Sequence, residues 1–193
     1  GGRSTRMGRD KATLKVGDKA LIQQVYDKAH HVFTDILVVS SHHEHFCGVD
    51  APIVPDILPV QSSIVGIASA VLHARTPYVF VLACDMPFVN YRLLDAQRIA
   101  MLTLGADLVI PRLDGGLEPF HAIYDRDACL PHILQAIQED RWRVDSWFSQ
   151  VKIHFFEEKE IQKYDPRGMS FWNVNTPEEL EQAKKLAGEE PDL

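Results

Sequence analysis

Cysteine is scarce in this sequence and poorly placed for cross-linking. Cys47, Cys84 and Cys129 are an odd number at wide spacing, with no CxxC pair, which excludes a disulfide framework and the common structural zinc patterns. No uninterrupted apolar run approaches the roughly 20 residues that span a bilayer, and no secretory leader pattern is visible. The expected setting is a reducing cytoplasm. Positive charge is in deficit as well: 20 Lys and Arg against 27 Asp and Glu leave a formal net of −7. That balance argues against nucleic acid or a membrane surface as a partner held by overall field. Ser/Gly linkers and internal repeats are absent too. What remains is 46% hydrophobic and 24% charged over 193 residues, enough for one compact core, and residues 1–193 are expected to form a single domain.

The charge is unevenly spread. Residues 1–15 carry Arg3, Arg6, Arg9, Lys11 and Lys15 against Asp10 alone, a local positive surplus in an acidic chain. Apolar periodicity further on alternates between helix and strand. Helices are expected at 18–31, 64–74 and 91–104, and strands at 35–40, 78–83, 107–111, 120–124 and 151–156. Thr176-Pro177 opens a terminal helix with an N-cap and a proline at the first helical position. Strands joined through helices predict an α/β fold, three-layered and Rossmann-like, with a mostly parallel twisted sheet whose ligands sit beyond the carboxyl ends of the strands. Gly1-Gly2 opens the chain with no strand before it, although a glycine-rich phosphate loop is normally aimed by one. Either a segment precedes Gly1 or the sheet lacks its first strand.

The run GGRSTRMGRDKATL at 1–14 combines backbone free to present N–H groups to phosphate oxygens with cations that neutralise them. It is neither a Walker A loop nor a GxGxxG fingerprint: Gly2 and Gly8 are separated by five residues, and Arg-Asp-Lys follows Gly8. Asp85 stands in CDMPF, where the apolar run 78–83 ends, and offers hard oxygens to a cation; capping a helix after Pro87 is its structural alternative. Asn173 and Asn175 flank Val174 at period two, so an extended backbone points both to one face. An N-cap or Asx turn competes for Asn175.

Four segments, GGRSTRMGRDKATL, CDMPF at 84–88, GLEPFHAIY at 116–124 and WNVNTPEEL at 172–180, resemble in order the motifs of the molybdenum cofactor guanylyltransferases and related nucleotidyltransferases. The resemblance spans almost the whole chain. It implies a nucleotide-diphosphosugar-transferase-like fold and transfer of GMP from GTP to the terminal phosphate of molybdenum cofactor, with Mg2+ as cofactor and pyrophosphate released. The recipients of the product would be molybdoenzyme apo-proteins or their chaperones. Arg6 and Lys11, with the backbone of Gly1, Gly2 and Gly8 and the side chain of Arg3, would hold the nucleotide's phosphates. Asp85 would ligate the metal, with Asn173 or Asn175 completing the site. Glu118 and His121 fall in the second-substrate motif.

One segment departs from the family pattern. Its glycine- and proline-rich loop after an acidic residue, which lines the base and ribose, is replaced after Asp56 by LPVQSSIVG at 58–66, and the base-contacting position after the second strand is Ser40-Ser41-His42. Asp56 or loop backbone can accept from guanine N1–H and its amino group, and these residues leave cytosine open. A cytidylyl- or sugar-phosphate transferase on the same fold, or a cofactor carrier without catalysis, are the alternatives. His42, His43 and His45 match no zinc spacing. Cys84 reads as a packed thiol, and Trp142, Trp147 and Phe148 as core.

Overall fold

The computed structural model describes residues 11–40 and 46–189, except the side chain of Lys11. A 3-10 turn at Lys11–Thr13 leads into the hairpin β1 (Lys15–Val16) and β2 (Lys19–Ala20), then α1 (Leu21–His30). β3 (Val38–Val39) pairs parallel with β4 (Ile53–Val54). After α2 (Ser63–His73) come β5 (Tyr78–Leu82), α3 (Tyr91–Leu104), β6 (Leu108–Leu113), β7 (Gly116–Leu117), β8 (His121–Asp125), α4 (Arg126–Gln138), β9 (Ile153–Glu157), α5 (Glu158–Ile161) and α6 (Pro177–Glu189).

The α/β fold expected from the sequence is the fold observed. β5, β6 and β9 run the same way, and β8 lies between β5 and β6 in the opposite sense, reached through the β6–β7 hairpin. Among the described residues no ladder joins β3 to β5. Period-two alternation makes three layers of this sheet. Ala122 and Tyr124 of β8, with Leu108 and Ile110 of β6, pack against α2 and α4. Ile123 and Val109, one residue out of phase, pack against α3.

Local chemistry explains most element ends. Asn90 caps α3 by accepting from Arg92 N at 2.9 Å, and Gly105 ends it in the left-handed conformation, φ 59°. The strand expected at 35–40 is ladder-paired only at Val38–Val39, because Pro52 and Pro55 bracket β4 and lack N–H groups. Residues 126–138 form a helix that the periodicity did not show, since Pro131 interrupts the run; Asp125 caps it through Asp127 N and Ala128 N, both at 3.0 Å. At the terminal helix, Thr176 Oγ1 accepts from Glu179 N at 3.2 Å while Glu179 Oε2 accepts from Thr176 N at 2.9 Å, a reciprocal capping box.

Candidate active site

The carboxyl end of β5 is where the chain gathers its polar motifs. β5 is β-branched and aromatic and half-buried; beyond it the backbone leaves the ladder, and Asp85 follows on a half-buried turn. Asp85 does not cap the next helix, since α3 begins at Tyr91 and Asn90 is its cap. The Asp85 carbonyl instead accepts from Val174 N at 2.9 Å. That bond draws the segment 173–175, some 90 residues downstream, onto the end of β5. Val174 is fully buried with Phe88, Val16 and Leu21, which leaves Asn173 and Asn175 on its other side. Asn173 is half-buried, and its Nδ2 donates to Phe171 O at 3.3 Å. Asn175 is exposed, and its N–H donates to Glu179 Oε2 at 2.6 Å at the start of α6.

The end of the cationic run, from Ala12 onward, packs near the same place. Gly1, Gly2, Arg3, Arg6 and Gly8 lie outside the described residues, as do His42, His43, His45 and the Lys11 side chain. The backbone that follows them is anchored: Ala12 packs with Ile22 and Phe46, and Val38 of β3 and Cys84 join the same cluster. Lys11 and Asp85 each adjoin a member of this cluster in sequence, so one apolar knot ties the end of the cationic run to the metal-binding candidate. Cys84 is part of that packing, as expected.

Asp56 is placed differently. It is half-buried and accepts from Ser69 Oγ of α2 at 3.3 Å, where Ile57 N also reaches that hydroxyl at 3.0 Å. This fixes the loop after β4 to α2. Gly66 of that helix faces Phe120, whose carbonyl accepts from Ala83 N at 3.0 Å, so the helix start lies against the end of β5.

Glu118 sits in the turn entering β8 and His121 is the strand's first residue, beside the end of β5 because His121 pairs with Leu82. Glu118 is half-buried, and burial raises its carboxyl pKa. His121 is completely buried. Its ring lies between Phe80 and Phe171, with centroids at 5.5 and 4.9 Å, and neither ring nitrogen has a hydrogen-bond partner. Burial depresses its pKa to about 4, so the ring is neutral and works as part of the wall behind the site. Its carbonyl accepts from the buried Gln97 Nε2 at 2.9 Å. Trp147 is fully buried in the main core, while Trp142 is 40% exposed. Cys129 is inert: burial pushes its thiol up to about 12.

A family model described as a MobA-like NTP transferase domain matches residues 1–152. The chain belongs to this family. It is 31% identical over 190 residues to the molybdenum cofactor guanylyltransferase of Desulfosudis oleivorans, covering 95% of this chain and 91% of the relative. It is 32% identical to the probable molybdenum cofactor guanylyltransferase of Natranaerobius thermophilus, covering 97% and 93%. Among solved structures, molybdopterin-guanine dinucleotide biosynthesis protein A from Archaeoglobus fulgidus superposes with a TM-score of 0.83 at 25% identity, over 98% of this chain and 96% of that one. The 2-C-methyl-D-erythritol 4-phosphate cytidylyltransferase of Thermus thermophilus, 15% identical with a TM-score of 0.70 over 92% and 93%, shares the fold.

For an NTP transferase the site chemistry is coherent. Among the described residues no cluster of three or more His, Cys, Asp or Glu forms an all-protein metal cage. One carboxylate on the turn that meets the Asn173–Asn175 segment suits a hard divalent cation that keeps water and phosphate oxygens in its shell. No helix among the described residues is long and apolar enough to cross a membrane.

Sequence reasoning missed Asp165. It is 5% exposed and accepts from Met169 N at 3.2 Å and Ser170 N at 2.7 Å, which shapes the turn leading to Asn173. The dipeptides Asp165-Pro166 and Arg167-Gly168 are a turn signal that could have marked it.

Proposed function

We propose that this chain is a molybdenum cofactor guanylyltransferase, moving GMP from GTP to the terminal phosphate of molybdenum cofactor with Mg2+ as the cation. The observation that carries the reading is the Val174 N–Asp85 O bond, which brings the Asn173–Asn175 motif to the Asp85 motif; the names of the relatives support the substrates. A terminal phosphate oxygen attacks the α-phosphorus of GTP, the bond from that phosphorus to the bridging oxygen breaks, and pyrophosphate leaves with the electron pair. The nucleophile is already ionised near neutral pH, so positioning and charge neutralisation supply the catalysis. Asp85 and Asn173 would hold Mg2+; bound there, the ion would neutralise charge between the α-phosphate and the attacking phosphate. Lys11 and Arg6 would stabilise the departing pyrophosphate, with Arg3 and the backbone of Gly1, Gly2 and Gly8 cradling the phosphates. Asp56 and the loop after β4 would face the base. The setting of this chemistry would be the cytoplasm, with molybdoenzyme apo-proteins or their chaperones receiving the product, and residues 1–193 would act as one transferase domain.

Pyrophosphate release from GTP, CTP and UTP in the presence of molybdenum cofactor and Mg2+ tests the reading. GTP is expected to be the preferred donor. Preference for CTP would overturn the guanylyl assignment, and cofactor binding without pyrophosphate release from any nucleotide would favour a carrier.

A further inference from the structure

Beside the candidate site, at the carboxyl ends of β6 and β9, lies a cavity of about 300 Å³ bordered by Asp114, Glu158, Gln162, Asp165, Arg167 and Phe171. Its wall is prebuilt. Asp165 binds two backbone N–H groups of the turn, and Gly168 supplies the left-handed residue, φ 65°, that the turn needs. Phe171 is backed by the buried His121 ring at 4.9 Å, which in turn meets Phe80 edge-on at 5.5 Å. A flat face is thereby held in place, and holding it costs a ligand little ordering entropy.

The cavity also adjoins the chemistry. The Phe171 carbonyl accepts from Asn173 Nδ2 at 3.3 Å, and Val174 N is bonded to Asp85 O. The rest of its lining suits one kind of molecule. Phe171 gives an aromatic surface for a planar ring. Glu158 and Asp114 are exposed carboxylates able to accept from the adjacent ring N–H and amino group of a 2-amino-4-oxopyrimidine edge, and Gln162 Nε2, which donates to Glu158 Oε1 at 3.2 Å, orients the first of them. Two substrates of a guanylyltransferase carry that edge: guanine and the pterin. The cavity belongs to β6 and β9, and β6 stands two strands along the sheet from β5. The end of the cationic run packs instead through Ala12 beside Val38 of β3 and Cys84, and Asp56 is fixed to α2. On the guanylyltransferase reading, the triphosphate and its base would lie toward those elements.

We infer that this cavity binds the pterin ring of the second substrate, reading its 2-amino-4-oxopyrimidine edge with Glu158 and Asp114 against Phe171. The inference rests on the guanylyltransferase reading. Its test is a titration of the full chain with 6-hydroxymethylpterin, followed by pterin fluorescence with and without saturating GTP, for the wild type, Glu158→Gln and Asp114→Asn. These side chains are exposed and the substitutions keep their size, so folding is preserved. Saturable binding unaffected by GTP is expected, weakened by about tenfold or more in Glu158→Gln, as loss of a charge-assisted hydrogen bond implies. In the transfer assay the same variant should raise KM for molybdenum cofactor by a similar factor while KM for GTP and kcat hold. Competition with GTP one for one would assign the cavity to guanine and overturn the inference. So would absence of saturable binding to the wild type, or unchanged pterin affinity and cofactor KM in both variants. If the wild type binds pterin independently of GTP but transfers no nucleotide, the pterin cavity stands and the transferase reading fails.

Discussion

The two flanks of Asp85 are built on different scales. On one side β3 and β4 share a ladder of two residue pairs, and the approach of the cationic run depends on a small cluster around Ala12, Ile22 and Phe46. On the other, β5–β8 and β6–β9 are joined by ladders of five residue pairs each, and the turn 165–171 is held by Asp165 and by the packing of Phe80, His121 and Phe171. The difference teaches a division of labour. The heavily packed flank can hold Asp85 and Asn173 to the tolerance that in-line transfer needs. On the lightly paired flank the described chain beside the end of β5 is held by the small cluster around Ala12, so function there is expected to depend more on charge than on packing.

Substitutions can break this comparison, and the largest effect belongs at its centre. Asp85→Ala should lower pyrophosphate release on the order of 10³-fold, because a carboxylate that neutralises transition-state charge through a metal is lost; activity within a few-fold of wild type would remove Asp85 from the chemistry. Second is an acid test of the packed flank. The pKa of His121 is depressed by burial from an ordinary 6.5 to about 4. Its contribution to stability is therefore complete above pH 6.5 and is lost as pH falls toward 4, up to roughly 3 kcal/mol. Urea midpoints across that window should fall for the wild type, and the His121→Phe variant should show a shallower decline. Equal slopes would mean that other groups govern acid unfolding.

Third, on the lightly paired flank, Lys11→Ala should slow transfer about 10²-fold, as removal of one charged transition-state contact typically does, with urea midpoints unchanged. A stability loss with full turnover would reassign Lys11 from phosphate to packing. The smallest effect separates the two asparagines. Asn173→Ala should cost about tenfold in kcat, as loss of a metal-oriented group does, whereas Asn175→Ala should cost less, because the backbone N–H that holds Glu179 survives the substitution. Reversal of that order would move the metal ligand to Asn175.

Much of the architecture was legible because it is local. Asn90 and Gly105 bound α3 where their residue types say it should start and stop, and Thr176 with Glu179 opens α6. Period-two runs located β5, β6, β8 and β9 to within a few residues. The insertion of β8 against the direction of its neighbours was not legible, since apolar runs carry no sign of strand direction or pairing partner. His121 shows the same limit at the site. Its place in GLEPFHAIY suggested contact with the second substrate, and only the tertiary structure shows that its ring is buried between Phe80 and Phe171.

By itself the sequence determined the chemical inventory: a cationic glycine-rich run, a carboxylate after an apolar strand, and a pair of asparagines in one extended turn. Residue type and short-range spacing suffice for those, because capping, alternation and charge act over a few positions. Tertiary structure decided the assembly. The hydrogen bond from Val174 to Asp85 and the cavity beside Phe171 join segments remote in the chain. Such contacts arise from burying both faces of a sheet, which no local pattern encodes.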